Sequence, residues 1–345
     1  MKKKIIYILG GVVISLLVAV GSVAYVAYST VMAPVVQSEE DAYIQVCPND
    51  DMRRVGEMLA SAAEFRTMAG FVPLMRHYKY DQRVKPGNYV IRPGDSMRDI
   101  CLRLLSGNQT PVRLVVPSVR TLDRLAGAVG RQLMTDSASV MDLLSEVHLL
   151  DSLGYTSATV PCMFIPNTYE VYWTMTPEQF VNRMIKESKR FWNDSRMAKA
   201  KALGLSPSEV MTLASIVDEE TAKDDEKPLV AGLYLNRLKR GMLLQADPTV
   251  KFALGDFELR RILYVHLQTD SPYNTYKYAG LPPGPIRIPS ISAIESVLSP
   301  AKHSYIYMCA KEDFSGYHNF ATTLTQHNAN ARRYQQALNK LGIKK

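Results

Sequence analysis

The sequence has little of what builds metal centres and disulfide frameworks. Its four cysteines, at positions 47, 101, 162 and 309, show no CxxC or Cys/His ligand spacing. That scatter argues against a structural metal site and against dense cross-linking. The six histidines are equally dispersed and no HExxH occurs, so neither a metal nor a cofactor is expected. Also missing is a basic stripe interleaved with aromatics, although the formal net charge is +8. Lys2, Lys3 and Lys4 precede the first apolar run, and Lys340, Lys344 and Lys345 close the chain. Positives so placed set topology and solvate a tail, and nucleic-acid binding is not expected. No internal repeat or low-complexity tract occurs.

Charge is absent altogether from Ile5 to Tyr28. About 20 apolar residues cross a bilayer as a helix, whereas the core of a cleavable signal is about 7–15. Residues 5–28 therefore read as a transmembrane anchor. The lysines keep residues 1–4 in the cytoplasm, and the rest of the chain is exported. A cleaved signal peptide is the competing reading. No lipobox cysteine follows the run. Residues 29–42, ending in Glu39, Glu40 and Asp41, read as a polar linker.

Beyond the linker the chain is long enough for about two domains, and 47% of the whole is apolar. In residues 43–116, Met52 to Met68 has helical spacing, Tyr89 to Ile91 reads as a strand, Met97 to Leu105 as a helix and Val112 to Val116 as a strand. This order resembles a LysM module, which binds N-acetylglucosamine-containing glycans; a generic small α+β domain fits it as well. Residues 117–345 form the larger domain. Helices are expected at 121–133 and 137–148, then an aromatic loop from Phe164 to Trp173 that includes Pro166, Asn167, Thr168 and Tyr169. Such a loop can line a sugar cleft or simply pack. The segment Ser271–Ser290 holds five prolines and three tyrosines, which predicts a rigid irregular loop.

The stretch from Ser206 to Asn236 carries the sharpest chemical signal. Ser206, Pro207 and Glu209 make a helix start with a capping box. Val210, Leu213, Val217 and Glu220 then recur three or four residues apart, on one helix face. Glu220 ends an apolar stripe, while Asp218 and Glu219 are rotated from it. Apolar surroundings raise a carboxyl pKa, and a carboxyl protonated at neutral pH can serve as a general acid. A helix-end carboxylate satisfied by a nearby Lys or Arg fits the same spacing.

Taken together, LASIVDEETA, LYLNRLKRGMLLQADPTVKFALG, PYNTYKYAGLPPGPI, SPAKHSYIYM and GYHNF…HN resemble, in this order, the endolytic murein transglycosylases (MltG, YceG-like). The resemblance implies a membrane-anchored lytic transglycosylase, a carbon–oxygen lyase. It would cut the bond between N-acetylmuramic acid and N-acetylglucosamine within nascent peptidoglycan strands, leaving 1,6-anhydro ends and ending strand elongation. The implied fold is α+β: a transmembrane helix, a small LysM-like domain and a larger lysozyme-related catalytic domain. The family's catalytic Glu maps onto Glu220 of the Glu220–Thr221 pair. Where the family commonly has Glu-Lys-Glu-Thr, this chain has Asp218-Glu219-Glu220-Thr221, and the extra negative charge favours a protonated Glu220. Expected substrate contacts are Asn236, Gln245, Asp247, Thr249, Tyr273, Asn274 and Tyr276, each of which could instead cap or brace a loop. His318 and His327 lie near the cleft or pack. The implied setting is the outer side of a bacterial cytoplasmic membrane, with peptidoglycan synthases as plausible partners. Two alternatives stand: a membrane-tethered wall-binding scaffold, and a hydrolase pairing Glu220 with Asp247.

Overall fold

The structure is a computed structural model that describes residues 2–259 and 261–341; Lys344 and Lys345 of the basic close lie outside the described residues. The chain divides into two compact units, one of residues 1–113 with 170–175 and one of residues 114–169 with 176–345.

The first unit begins with α1 (Lys2–Val31), which is long and apolar enough to cross a membrane. It continues through β1 (Ala42–Val46), α2 (Met52–Ala62), α3 (Phe71–His77), β2 (Gly87–Ile91) and α4 (Met97–Ser106). β1 and β2 pair antiparallel, Ala42 opposite Ile91. Helix starts follow the side chains present: Asp51 accepts the Arg54 N–H, and Ser96 and Asp99 close a capping box. Arg103 ties β2 to α4 by donating to Asp95 and to the Val90 carbonyl. The expected linker differs from the outcome. Val35 and Val36 are buried among Ile44, Leu59, Phe71 and Met97, and Val36 bridges to Phe65. Two adjacent valines ahead of the polar residues 37–41 are worth burying, and the pairing of Phe65 stops α2 short of the Met68 expected for it.

The second unit comprises β3 (Val112–Val116), α5 (Leu122–Gly130), α6 (Ser137–Ser145), α7 (Val147–Ser152), β4 (Asn167–Val171), α8 (Pro177–Phe191), α9 (Asp194–Leu203), α10 (Pro207–Glu220), α11 (Lys227–Lys239), α12 (Asp247–Leu254), α13 (Tyr264–Leu267), α14 (Ile291–Leu298), β5 (Tyr307–Ala310), β6 (His318–Ala321) and α15 (Leu324–Lys340). β3 and β4 form a two-stranded sheet of their own, so β3 does not extend the β1–β2 sheet. The aromatic loop, open to either sugar lining or packing on sequence, is β4 with its flanks. Phe164 stacks on Phe180, the Tyr169 hydroxyl donates to the Ile165 carbonyl, and both residues are buried. Apolar burial outweighs exposure there.

Helix α10 is the axis of this unit. Every residue from Val210 to Val217 is buried, with α9, α11, α12 and α14 packed around it. Its capping box forms as the spacing requires: the Ser206 N–H donates to Glu209 at 2.7 Å and the Glu209 N–H to Ser206 Oγ at 3.3 Å. A helix buried on all sides does not owe Glu220 its place by facing alone. Residues 269–290 run without helix or strand. Within them Gly284 passes so near Ala158 that an added Cβ would lie 1.9 Å from the carbonyl oxygen. Gly284→Ala is therefore expected to cost about 3 kcal/mol or more, read as a fall in Tm.

Candidate active site

Glu220 is the last residue of α10, and its carboxyl opens into a cavity of about 450 Å³. Around it stand Tyr234 and Arg237 of α11, Gln245 and Asp247 at the start of α12, Tyr276, the strand β5, His318, and Leu324 and His327 of α15. The Tyr234 hydroxyl donates to Glu220 Oε1 at 2.6 Å. Burial raises the Glu220 pKa to about 7; the Tyr234 hydrogen bond opposes the rise, and the negative charge of Asp247 adds to it. The carboxyl also sits at a helix C-terminus, where the macrodipole disfavours a negative charge. The carboxyl thus holds its proton close to neutrality while one oxygen is fixed by a tyrosine.

Its two neighbours on α10 do different work. Asp218 is buried against Lys227 at 2.8 Å, and Glu219 is gripped by Arg120 at 2.8 Å and Arg287 at 3.0 Å. Both had been expected merely to turn away from the buried face; instead their ion pairs fix the end of the helix. The charge of Glu219, largely answered by those arginines, is the smallest of the influences raising Glu220.

Of the seven expected substrate contacts, the structure gathers three at the cavity. Gln245 has a left-handed backbone with φ 52° and an exposed side chain, a conformation that non-glycine residues seldom hold without local support. That support is its N–H bond to the Thr275 carbonyl. Asp247 is exposed and accepts from the Tyr276 hydroxyl at 2.5 Å. It is not the cap of α12, a role suggested by its Asp-Pro sequence: Ala246 occupies that position and Asp247 is the first helical residue. The other four lie outside the cavity lining. Asn236 donates to the carbonyls of His303 and Tyr305. Thr249 is buried against Thr275, at 2.8 Å. Asn274 donates to the Leu267 and Thr269 carbonyls, and Tyr273 packs on Phe252. These four brace the loops that carry the other three.

Tyr234, Arg237 and β5 were not foreseen as site elements. Arg237 is buried and donates to the carbonyls of Ile306, Leu243 and Leu244, joining both sides of the cavity. Its only sequence signal is an arginine on an otherwise apolar helix face. His318 reaches the cavity with Nδ1 held at 2.9 Å by buried Glu226. His327 stacks on Tyr307, and burial lowers its pKa.

A mixed helix-and-sheet fold with two carboxyls, Glu220 and Asp247, at one cleft defines an acid-bearing binding domain only loosely, and comparison with known proteins narrows it. The chain belongs to the YceG-like family, whose profile matches residues 44–333. It is similar to the endolytic murein transglycosylase of Bacillus subtilis, 38% identical over 164 residues, which cover 47% of this chain and 44% of that protein. It is also similar to the endolytic murein transglycosylase of Streptococcus pneumoniae serotype 2, 29% identical over 263 residues, 68% of this chain and 48% of that one. The chain thus spans about half the length of these relatives. A yceG-like protein of Listeria monocytogenes, solved by crystallography, superposes with a TM-score of 0.58 at 27% identity, covering 85% of this chain and 99% of that one.

Proposed function

We propose that this protein is a membrane-anchored endolytic lytic transglycosylase of peptidoglycan. The observation that carries the reading is Glu220: a carboxyl with a pKa near 7 at the C-terminal end of α10, in a cavity lined by both polar and apolar side chains. Protonated Glu220 gives its proton to the oxygen leaving C1 of N-acetylmuramic acid as the C1–O bond breaks. The sugar's acetamido group relieves the positive charge at C1, and the carboxylate of Asp247 adds electrostatic support. Glu220, now a carboxylate, takes the proton of the C6 hydroxyl while that oxygen bonds to C1. The product is a 1,6-anhydro ring, no water is consumed and Glu220 ends protonated. Gln245, Asp247 and Tyr276 would touch the sugar directly; Asn236, Thr249, Tyr273 and Asn274 would act through the loops.

In this reading α1 is a single-pass anchor in the cytoplasmic membrane, with the N-terminus inside and the chain beyond α1 outside. A tether so short favours cuts near the site of polymerisation, where they would end strand growth, and peptidoglycan synthases are fitting partners. The first unit would hold glycan in the manner of a LysM-like domain. Mass spectrometry of products from uncrosslinked strands tests the chemistry: internal fragments with 1,6-anhydro ends are expected, hydrated reducing ends would indicate a hydrolase, and binding without cleavage a scaffold.

Tyr234 supplies a separate check. Its hydrogen bond holds the Glu220 pKa down, so Tyr234→Phe should move the alkaline limb of the kcat/KM profile to higher pH. A profile that stays in place would mean that Glu220 is not the group being titrated.

A further inference from the structure

Ile306 to Ala310 all line the catalytic cavity. Successive strand residues point to opposite faces, so an unbroken row of lining residues means that the cavity is bordered by an edge of β5 rather than by one face. Among the described residues β5 pairs with β6 alone, Ala310 opposite His318. The ladder's parity is fixed twice. The Lys311 N–H donates to the Tyr317 carbonyl at 2.9 Å, and the His318 N–H turns away from Ala310 to donate to Glu226 at 2.6 Å. Alternation then points the amides of Tyr307 and Cys309 at β6 and those of Met308 and Ala310 away from it. At Ile306 the alternation breaks, its N–H donating to the Ala321 carbonyl at 3.0 Å while its carbonyl accepts from Arg237, so the outward edge is that of Met308 and Ala310. Open edges are normally covered, or blunted by charge or proline; Tyr307-Met308-Cys309-Ala310 has neither.

We infer that the outward edge of β5 binds the peptide stem carried by the muramyl residue being cut, as an added antiparallel or parallel strand. The inference rests on the transglycosylase reading. Two features favour this occupant. The edge is continuous with the cavity that holds Glu220, where the lactyl group of the muramyl sugar brings its peptide. Its two outward residues suit an oligopeptide of a few residues, not a folded partner. A sugar chain lacks the repeating N–H and C=O groups that such an edge pairs. The substrate class is then stem-bearing strands in preference to denuded ones.

The test is binding by the full chain carrying Glu220→Gln, in detergent, to uncrosslinked strands with stems and to the same strands after amidase treatment. Stem-bearing strands are expected to bind about tenfold more tightly, and free stem peptide to compete. Adding Met308→Pro removes one outward N–H that the ladder does not use; it should abolish most of the difference, whereas Met308→Leu should keep it. Equal affinity for the two strands overturns the inference, and so does a preference that survives Met308→Pro. If the proline variant fails to fold, as judged by circular dichroism, the two strands and the competing peptide decide on the parent protein. Cleavage by the unsubstituted chain is scored apart: stem-dependent binding without cleavage would sink the transglycosylase reading and leave the edge assignment standing.

Discussion

Glu220→Gln is expected to reduce glycan cleavage by about 10²–10⁴-fold, the span that a positioned general acid contributes, with the fold retained. Gln keeps the size of the side chain and an oxygen to accept from Tyr234, which donates to Glu220 at 2.6 Å, but it has no proton to give. Stability supplies a second readout with an opposite sign. The Glu220 pKa is raised from 4.5 to about 7 in the folded protein, so folding holds this proton more tightly than the unfolded chain does. Its stabilising contribution is full below the unfolded value and is lost as pH rises through the folded one. At about 1.4 kcal/mol per unit, the loss comes to about 3 kcal/mol by pH 8. The Gln variant escapes it. Relative to the parent, then, the variant should gain in Tm between acid and mildly alkaline pH while losing activity throughout. A carboxylate held only for structure would give the reverse: destabilisation on replacement and little loss of rate.

Lys227→Met should unfold the second unit most readily, at a cost of about 3–5 kcal/mol for breaking a buried ion pair. Lys227 is buried and its Nζ lies 2.8 Å from Asp218 and from Asp224, with Ser292 Oγ also at 2.8 Å. Met fills the space but strands Asp218. Burial works against the charge of Asp218, yet Lys227, the Ser290 N–H and Arg287 together hold its carboxyl below the usual range. The stability this contributes is present above the unfolded pKa and lost as pH falls through the folded one. The gap between parent and variant, measured as the urea midpoint, should therefore narrow in acid. Because Asp218 and Ser290 are bonded, Oδ1 to Oγ at 2.8 Å, the variant also loosens the end of α10 on which Glu220 stands. Activity should fall before global unfolding does.

Local chemistry made much of this legible from residues alone. The capping box at Ser206 and Glu209 and the irregular run before Ser290 both depend on neighbours in sequence, and they form as expected. Periodicity along α10 accounts for only part of the setting of Glu220. The stripe Val210, Leu213 and Val217 is buried, but so is the remainder of that helix stretch; what singles out Glu220 is that Asp218 and Glu219 have cations and it has a tyrosine. Those partners come from Lys227, Arg120 and Tyr234, and no periodicity within α10 announces them. The same limit explains the substrate contacts. Asn236, Thr249 and Asn274 are polar residues in distinctive loops, yet each spends its side chain on main-chain carbonyls or on a buried hydroxyl. Gln245 lines the cavity with its Oε1 accepting from Arg237, on a left-handed backbone that only the folded loop reveals. The edge of β5 was invisible for a further reason: a strand's open side depends on which strand it lacks.

The most direct measurement of the central claim is the protonation state of Glu220 itself. Infrared difference spectra between the parent and Glu220→Gln, taken from pH 4 to 9, isolate the carbonyl stretch of its protonated carboxyl. The account predicts that this band persists through pH 6 and disappears around pH 7, where burial places the pKa. A band already gone at pH 5 would mean an ordinary ionised carboxylate, unable to deliver a proton at neutral pH, and would contradict the assignment of Glu220 as the acid.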